Sequence, residues 1–513
     1  MASSAQIDAL VSWAESHGAT LHPDVQIYQD ATTGLSFRVK PTAAAPLAGQ
    51  YTSAAIVRTQ ASLSLSYLNA VHHTDSGRDP GAPPPPPPLA GALLRAGLPP
   101  HVLGRLLLVR EYLAGASSFW HPYIQALPQP GDAAAWLLPP FWDDDDAELL
   151  DGTNLEVGLA RIRADLRGEV TAVQAALSAG LDTQRGEENE EAPSETNQRL
   201  ADQFRPVLYH WAYAIFSSRS FRPSLVLSDA QRRSLPPGVS TDDFSVLLPL
   251  FDIGNHDMTA PVRWERYADE SGSGGGCALH TGRAYQPGEQ VFNNYSLKTN
   301  AELLLGYGFM IPATETLHND YVHVRKRGGG GGVDAPTSEE YLISARPLHD
   351  ASSVLARDKL PTVAGQFDDA LVQAITPAFQ HVPPDMAWDI FRAIAAGTTF
   401  RRLIPVEGEG DGDENADDQL RRLLFLKGLV SGACLRYFAQ TAAVIQNKAL
   451  QELERLQETD VEVSEADRAR LTPCQALALD YRDRCREVLE RTLESINSDQ
   501  TLAAAMEAMN EED

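Results

Sequence analysis

Two stretches decide how this chain is read: Leu247–Asp257, LLPLFDIGNHD, and Val291–Phe309, VFNNYSLKTNAELLLGYGF. The first reads as an apolar strand that runs straight into the pair Asn255-His256. The second reads as a strand, a tyrosine (Tyr295), a polar turn, an apolar helix and a second tyrosine (Tyr307). Between them, GSGGG at Gly272–Gly276 falls inside a hairpin. It is no phosphate loop, because that motif needs a strand before it and a helix after it.

Upstream, Ile7–Ala19 (IDALVSWAESHGA) spaces Leu10, Val11 and Trp13 as a short amphipathic helix does, with His17-Gly18 at its end. VQIYQDATTGLSFRVK then reads as two short strands around Thr32-Thr33-Gly34. YTSAAIVRTQASLSLSYL reads as a strand and then a helix start. Pro83–Pro88 is a polyproline run that reads as a loop or a polyproline II insert. From Leu93 to Arg233 the pattern is helical. It includes an aromatic cluster at Phe119–Tyr123 that reads as core and is given no chemistry, and a polar acidic segment, Glu187–Thr196, that reads as disordered. Leu200–Phe221 reads as one helix. Downstream, the five glycines Gly328–Gly332 read as a linker, and a mostly helical region follows to Asp513.

Composition narrows the function classes. At 513 residues the chain has room for two or three domains. Its 43% hydrophobic and 22% charged content is that of an ordinary soluble globular protein. No apolar run approaches the ~18–20 residues of a bilayer span. The N-terminus has no basic segment followed by an apolar one, so no signal peptide is read and a cytoplasmic or nuclear address is expected. Cys277, Cys434, Cys474 and Cys485 form no CxxC pair, so neither a zinc cluster nor a disulfide framework is indicated, and no metal is expected. A formal charge of −27 repels nucleic acid and attracts basic partners. The acidic runs Asp143–Asp146, Glu187–Glu191 and Glu407–Asp418, each taken singly, read as solvated loops.

The order strand–Asn-His, hairpin, strand–Tyr, Asn-Ala-Glu-Leu-Leu, Tyr-Gly-Phe resembles the C-terminal half of a SET domain, the fold of S-adenosylmethionine-dependent protein lysine methyltransferases. Within that family it looks most like the branch of the RuBisCO large-subunit lysine methyltransferase. The opening helix with Trp13 resembles the start of that branch. Phe119–Ile124 (FWHPYI) and Leu150–Leu155 (LDGTNL) resemble its helical insertion, and Ser218-Arg219-Ser220-Phe221 follows the family as well. The resemblance implies an α+β fold: a SET-domain β-core with a knot-like C-terminal segment, a helical insertion and a C-terminal all-helical domain. It divides the chain into an N-terminal SET portion (1–75), the insertion (76–240), a C-terminal SET portion with the cofactor and catalytic motifs (241–325) and a helical substrate-binding domain (335–513). It further implies S-adenosyl-L-methionine as cofactor. The substrate would be a basic non-histone protein, such as a ribosomal protein or translation factor, with no nucleic-acid or membrane partner and the enzyme a monomer.

Site residues follow from the same resemblance. The backbone of Asn255-His256 would meet the adenine edge, and the Asn255 side chain the cofactor's amino group, with Asp252 supporting that loop. Arg219 would lie at the cofactor carboxylate, where a bidentate guanidinium fits. Gly34 and Leu35 would belong to the N-terminal cofactor loop, and Tyr307 would line the channel. Tyr295 would be the catalytic tyrosine, its hydroxyl beside the transferred methyl and orienting the amine. Free lysine has a pKa near ~10.4. A narrow apolar channel and the adjacent sulfonium charge both lower it, so no strong general base is required.

Taken alone, each feature has a plainer reading. Asn-His-Asp is most often a turn that satisfies its own backbone, Ser-Arg is surface decoration, and a tyrosine after a strand is a packing residue. Their joint order and spacing reverse that judgement. The chain departs from the family pattern at Thr32-Thr33-Gly34-Leu35, where Gly-x-Gly is usual, at Gly49-Gln50, where Gly-Glu is usual, and at Ser296, where glycine follows the catalytic tyrosine. Two alternatives stay open: a SET scaffold weakened in catalysis that binds a protein partner, and a protein-histidine methyltransferase.

Overall fold

The computed structural model describes residues 2–30, 33–51, 54–71, 88–183, 194–268, 275–325, 340–358, 374–396, 400–406 and 414–512. Residues 83–87 of the polyproline run, the acidic run 187–191 and the glycine run 328–332 lie outside them, as does Thr32. The chain divides into two compact units, Met1–Phe141 with Arg161–Ser296, and Trp142–Ala160 with Leu297–Asp513.

The first unit opens with the helix Ser4–Ser16, started by a capping box between Ser3 and Gln6. Its strands are β1 (Thr20–Leu21), β2 (Val25–Asp30), β3 (Gly34–Val39), β4 (Val57–Gln60), β5 (Leu65–Ser66), β6 (Ser220–Phe221), β7 (Val246–Leu247), β8 (Val262–Ala268), β9 (Gly275–Thr281) and β10 (Gln290–Val291). They form three small sheets in the orders β1-β4-β9-β8, β10-β3-β2 and β5-β7-β6, with all strand pairs antiparallel. The two strands read around Thr32-Thr33-Gly34 are the β2–β3 hairpin, in register from Val25↔Val39 to Asp30↔Gly34. Gly275 and Gly276, the described part of the Gly-rich stretch, open β9, which pairs antiparallel with β8; residues 272–274 lie outside the described residues. Gly276 is required there, since a Cβ would sit 1.9 Å from the Thr59 carbonyl oxygen on β4.

Two expectations are corrected. Leu247–Asp257 is not a strand along its length. β7 ends at Leu247, the chain turns, and Phe251–Ile253 form a 3₁₀ turn. Pro249 has no N–H to extend a ladder, and Leu250 takes φ 68°. The run is apolar because Leu247, Leu248, Leu250 and Phe251 are each fully buried, not because it is extended. Leu200–Phe221 is two helices, Glu195–Gln203 and Pro206–Arg219. Pro206 starts the second and holds Arg205 extended at φ −136°, as the residue before a proline prefers.

The helical insertion is anchored by two buried tryptophans whose indole N–H groups find backbone carbonyls, as a buried Trp requires. Trp120 Nε1 donates to Leu63 O at 2.8 Å and Trp211 Nε1 to Pro128 O at 2.7 Å.

Among its described residues the second unit is mostly helical, and β11 (Tyr321–Arg325) pairs antiparallel with β12 (Glu340–Ser344). The helix Asn300–Tyr307 begins with a Thr299–Glu302 capping box and stops at Gly308, φ 77°. The helices Ala433–Glu458 and Pro473–Asn497 are its longest. Phe391 and Phe425, with ring centroids 4.3 Å apart, and Phe379 and Phe438 at 5.1 Å build an aromatic core. Arg482 is buried with its guanidinium donating to the carbonyls of Leu149, Asp151 and Leu456. Among the described residues no helix is long and apolar enough to cross a membrane, and no cluster of His, Cys, Asp and Glu could hold a metal.

Candidate functional site

The 3₁₀ turn at Phe251–Ile253 delivers Gly254, Asn255 and His256 to one place. His256 pairs in parallel with Asn293. Asn293 N–H donates to Asn255 O at 2.7 Å, and Asp257 N–H to Asn293 O at 2.9 Å. The Asn-His segment therefore runs beside the segment that leads to Tyr295. Asn293 is locked by Trp264, whose Nε1 donates to its side-chain oxygen at 2.7 Å. Gly254 permits the close approach: a Cβ there would lie 3.1 Å from Asn293 Cβ and 3.2 Å from the Phe37 ring.

Tyr295 is held from two sides. Its backbone N–H donates to His256 Nδ1 at 3.0 Å, and its hydroxyl donates to Gly254 O at 2.9 Å. The two rings stack at 4.9 Å with 11° between planes. Nδ1 can accept only when it carries no proton, so this contact needs a neutral imidazole. Ser296 then turns the chain at φ 79°, the conformation that favours the glycine usual in the family.

Asn255 Nδ2 donates to Thr33 Oγ1 at 2.9 Å, which brings the Gly34-Leu35 end of the β2–β3 hairpin to the Asn-His loop. Asp30 shapes that turn by accepting from the Thr33 N–H and hydroxyl. Gly34 itself sits at φ 79°, and a Cβ on it would meet nothing within 4 Å.

Behind the loop lies a buried carboxyl group. The Asp252 side chain is fully buried, whereas Arg219 is 22% exposed. Arg219 Nη1 donates to Asp252 O at 3.3 Å and lies 3.7 Å from Oδ2. Tyr123, also fully buried, donates its hydroxyl to Asp252 Oδ2 at 2.8 Å. Burial pushes the Asp252 carboxyl above its ordinary range, while Arg219 and the Tyr123 hydroxyl pull it down. Burial, then Asp252, raises the Tyr123 hydroxyl well above the usual phenol range.

In the first unit the structure thus brings together Tyr295, Asn255, His256, Asp252, Arg219, Gly34 and Leu35. Tyr307 closes the helix Asn300–Tyr307 in the second unit, where Lys298 Nζ lies 5.6 Å from its ring centroid and burial raises its hydroxyl. Two contributions escaped the sequence. The His256 side chain, and not its backbone alone, holds Tyr295. Tyr123, read as core, carries a hydroxyl aimed at Asp252, and an aromatic cluster in a sequence gives no sign of which ring does so.

No family model matches the chain. Over 214 residues it is 31% identical to the ribosomal lysine N-methyltransferase set10 of Schizosaccharomyces pombe, covering 42% of this chain and 32% of that protein. It is 27% identical over 211 residues to the protein-lysine N-methyltransferase EFM1 of Saccharomyces cerevisiae, covering 37% and 33%. It is 26% identical over 226 residues to the chloroplastic ribulose-1,5-bisphosphate carboxylase/oxygenase large subunit N-methyltransferase of Pisum sativum, covering 42% and 38%. The match thus spans well under half the length of these relatives.

Among solved structures, the SET domain of LSMT bound to lysine and AdoHcy superposes with a TM-score of 0.55 at 16% identity, over 96% of this chain and 91% of that one. Rubisco LSMT bound to sinefungin and monomethyllysine gives 0.53 at 18%, over 96% and 92%. The chain has the SET-domain fold of LSMT. The SET-domain fold expected from the sequence is borne out.

Proposed function

We propose that this protein is a protein-lysine N-methyltransferase that uses S-adenosyl-L-methionine and acts on a non-histone protein such as a ribosomal protein or translation factor. The observation that carries the reading is the double hold on Tyr295, by His256 at its backbone and by the Gly254 carbonyl at its hydroxyl, beside Asn255. The relatives named above as ribosomal lysine and RuBisCO methyltransferases support the substrate class.

The residues fit the cofactor. Arg219 uses one nitrogen, Nη1, on Asp252; its Nε and Nη2 have no partner among the described residues and form an open fork suited to a carboxylate. Asn255 uses Nδ2 on Thr33, which leaves its Oδ1 to accept from an amino group. The backbone of Asn255-His256 would serve the adenine edge. Asp252 would stand behind this loop, Gly34 and Leu35 would close the N-terminal side, and Tyr307 would line the channel. When bound, the cofactor supplies an electrophilic methyl on a sulfonium. Tyr295 then has one task, to aim a neutral amine at it, with its hydroxyl already fixed by the Gly254 carbonyl. An apolar channel lowers the lysine pKa from ~10.4, so loss of the ammonium proton needs no dedicated base.

The substrate is proposed to be basic, because most of the −27 charge falls in the second unit, including Asp143–Asp146 and the helices near the C-terminus. A cytoplasmic or nuclear monomer with no nucleic-acid partner completes the proposal.

Labelled methyl transfer into a lysate from cells lacking the gene tests it, with amino-acid analysis of the product. Methyl-lysine is expected. Methyl-histidine moves the assignment to a histidine methyltransferase. Cofactor binding by calorimetry without any transfer supports the scaffold alternative, and no binding up to millimolar cofactor overturns the reading altogether.

A further inference from the structure

We propose that Tyr123 is a positioning residue for cofactor capture: its hydroxyl holds the Asp252 carboxylate so that Arg219 stays anchored through Nη1 with its remaining nitrogens free. The inference rests on the proposed function, since it concerns the carboxylate that Arg219 would bind.

The geometry comes from three separate elements. Tyr123 belongs to the short insertion helix His121–Ala126, Asp252 to the 3₁₀ turn before Asn255, and Arg219 to the end of the helix Pro206–Arg219. Among the described residues, the titratable side chains that face Asp252 are Tyr123 and Arg219. A fully buried carboxylate is unfavourable unless it is paired and hydrogen-bonded. Arg219 alone pairs with it loosely, at 3.7 Å, so the 2.8 Å bond from Tyr123 is the closest stabilising contact made to the ionised form.

The consequence has a definite sign. Ionised Asp252 adds an ion pair, Nη1 to Oδ2 at 3.7 Å, to the bond that Nη1 makes to its backbone carbonyl. Protonation removes the ion pair and keeps only that carbonyl bond, so the part of cofactor affinity that depends on the ion pair is present above the Asp252 pKa and falls as pH drops through it. Removing the Tyr123 hydroxyl takes away one of the contacts that lower this pKa. The acidic limb of the affinity profile must therefore move to higher pH.

Calorimetry of S-adenosylhomocysteine binding from pH 5 to 8 tests this, with Tyr123→Phe and Asp252→Asn beside the wild type and thermal melts to confirm folding. Tyr123→Phe keeps the buried ring. It is expected to shift the acidic limb upward, so that the loss of affinity relative to the wild type grows as pH falls. Asp252→Asn is expected to bind more weakly at every pH and to lose that limb. A Tyr123→Phe profile that superposes on the wild type, or one that is weaker by the same factor at every pH, overturns the proposal alone. Wild-type protein that binds at no pH overturns the function reading, and this proposal with it.

Discussion

Tyr295 is the residue on which the proposed chemistry turns. Its ring packs on His256 and its hydroxyl is fixed by the Gly254 carbonyl, so Tyr295→Phe keeps the packing and loses the oriented hydroxyl. An oriented hydrogen bond made mainly in the transition state is worth ~2.7–4 kcal/mol, about a hundredfold or more in rate. Single-turnover methylation should fall by that factor while cofactor affinity by calorimetry stays near wild type. Near-normal turnover would mean that the catalytic tyrosine is elsewhere, with Tyr307 the next candidate. Asn255→Ala should do the reverse, weakening cofactor binding by about 1.5–3 kcal/mol if its free oxygen meets a charged amino group. Ser296 offers a separate check. It holds φ 79° without being glycine, so Ser296→Gly should raise stability in chemical denaturation, by at most about 1 kcal/mol because glycine gains freedom in the unfolded chain. A destabilised Ser296→Gly would show that the serine side chain contributes more than its strained backbone loses.

At the scale of elements, the helix Asn300–Tyr307 is set by its first residues. Thr299 is fully buried, its hydroxyl accepts from the Glu302 N–H at 3.2 Å, and it lies 2.8 Å from His323 Nε2 on β11. Thr299→Ala removes both contacts, and N-cap losses run ~0.5–2 kcal/mol. The upper half of that range is expected in urea unfolding, whereas Thr299→Ser should be nearly silent. Equal losses in the two variants would point to packing of the threonine methyl rather than the cap. The polar turn and apolar helix at this point were legible in the sequence, as were the β2–β3 and β8–β9 hairpins. The stretch Leu247–Asp257 was located correctly and its conformation was not. A fully buried apolar run has no periodicity to separate strand from turn, and Pro249 was the overlooked signal. Pro206 was overlooked in the same way, because aromatic spacing on both sides of it suggested one helix. The convergence of Asn255, His256 and Tyr295, which rests on backbone pattern, was legible. The site was not legible where it rests on a long-range side-chain contact such as Tyr123 to Asp252, 129 positions apart.

For the molecule as a whole, charge is the property that reaches furthest. The excess of carboxylates lies mainly in the second unit, and much of it is exposed, as at Asp143, Asp144 and Asp145. Surface pairs such as Arg486 with Asp483 use up part of that charge locally, and their net contribution to stability is small. The uncompensated remainder sets a field that acts on an approaching protein over roughly a Debye length, ~10 Å at 0.1 M salt and ~30 Å at 0.01 M. Such a field speeds capture of a basic partner more than it strengthens the final complex. The apparent KM for a basic protein substrate should therefore rise several-fold between low and physiological salt. Cofactor affinity, set by contacts within the site, should change far less. Replacing Asp143, Asp144 and Asp145 together by Asn should flatten the salt dependence while leaving the melting temperature nearly unchanged, since surface substitutions of this kind stay within about 0.5 kcal/mol each. A KM that does not respond to salt in the wild type would remove the electrostatic argument for a basic substrate. The Tyr295 assignment would stand untouched, because it depends on contacts inside the first unit and not on the field around the second.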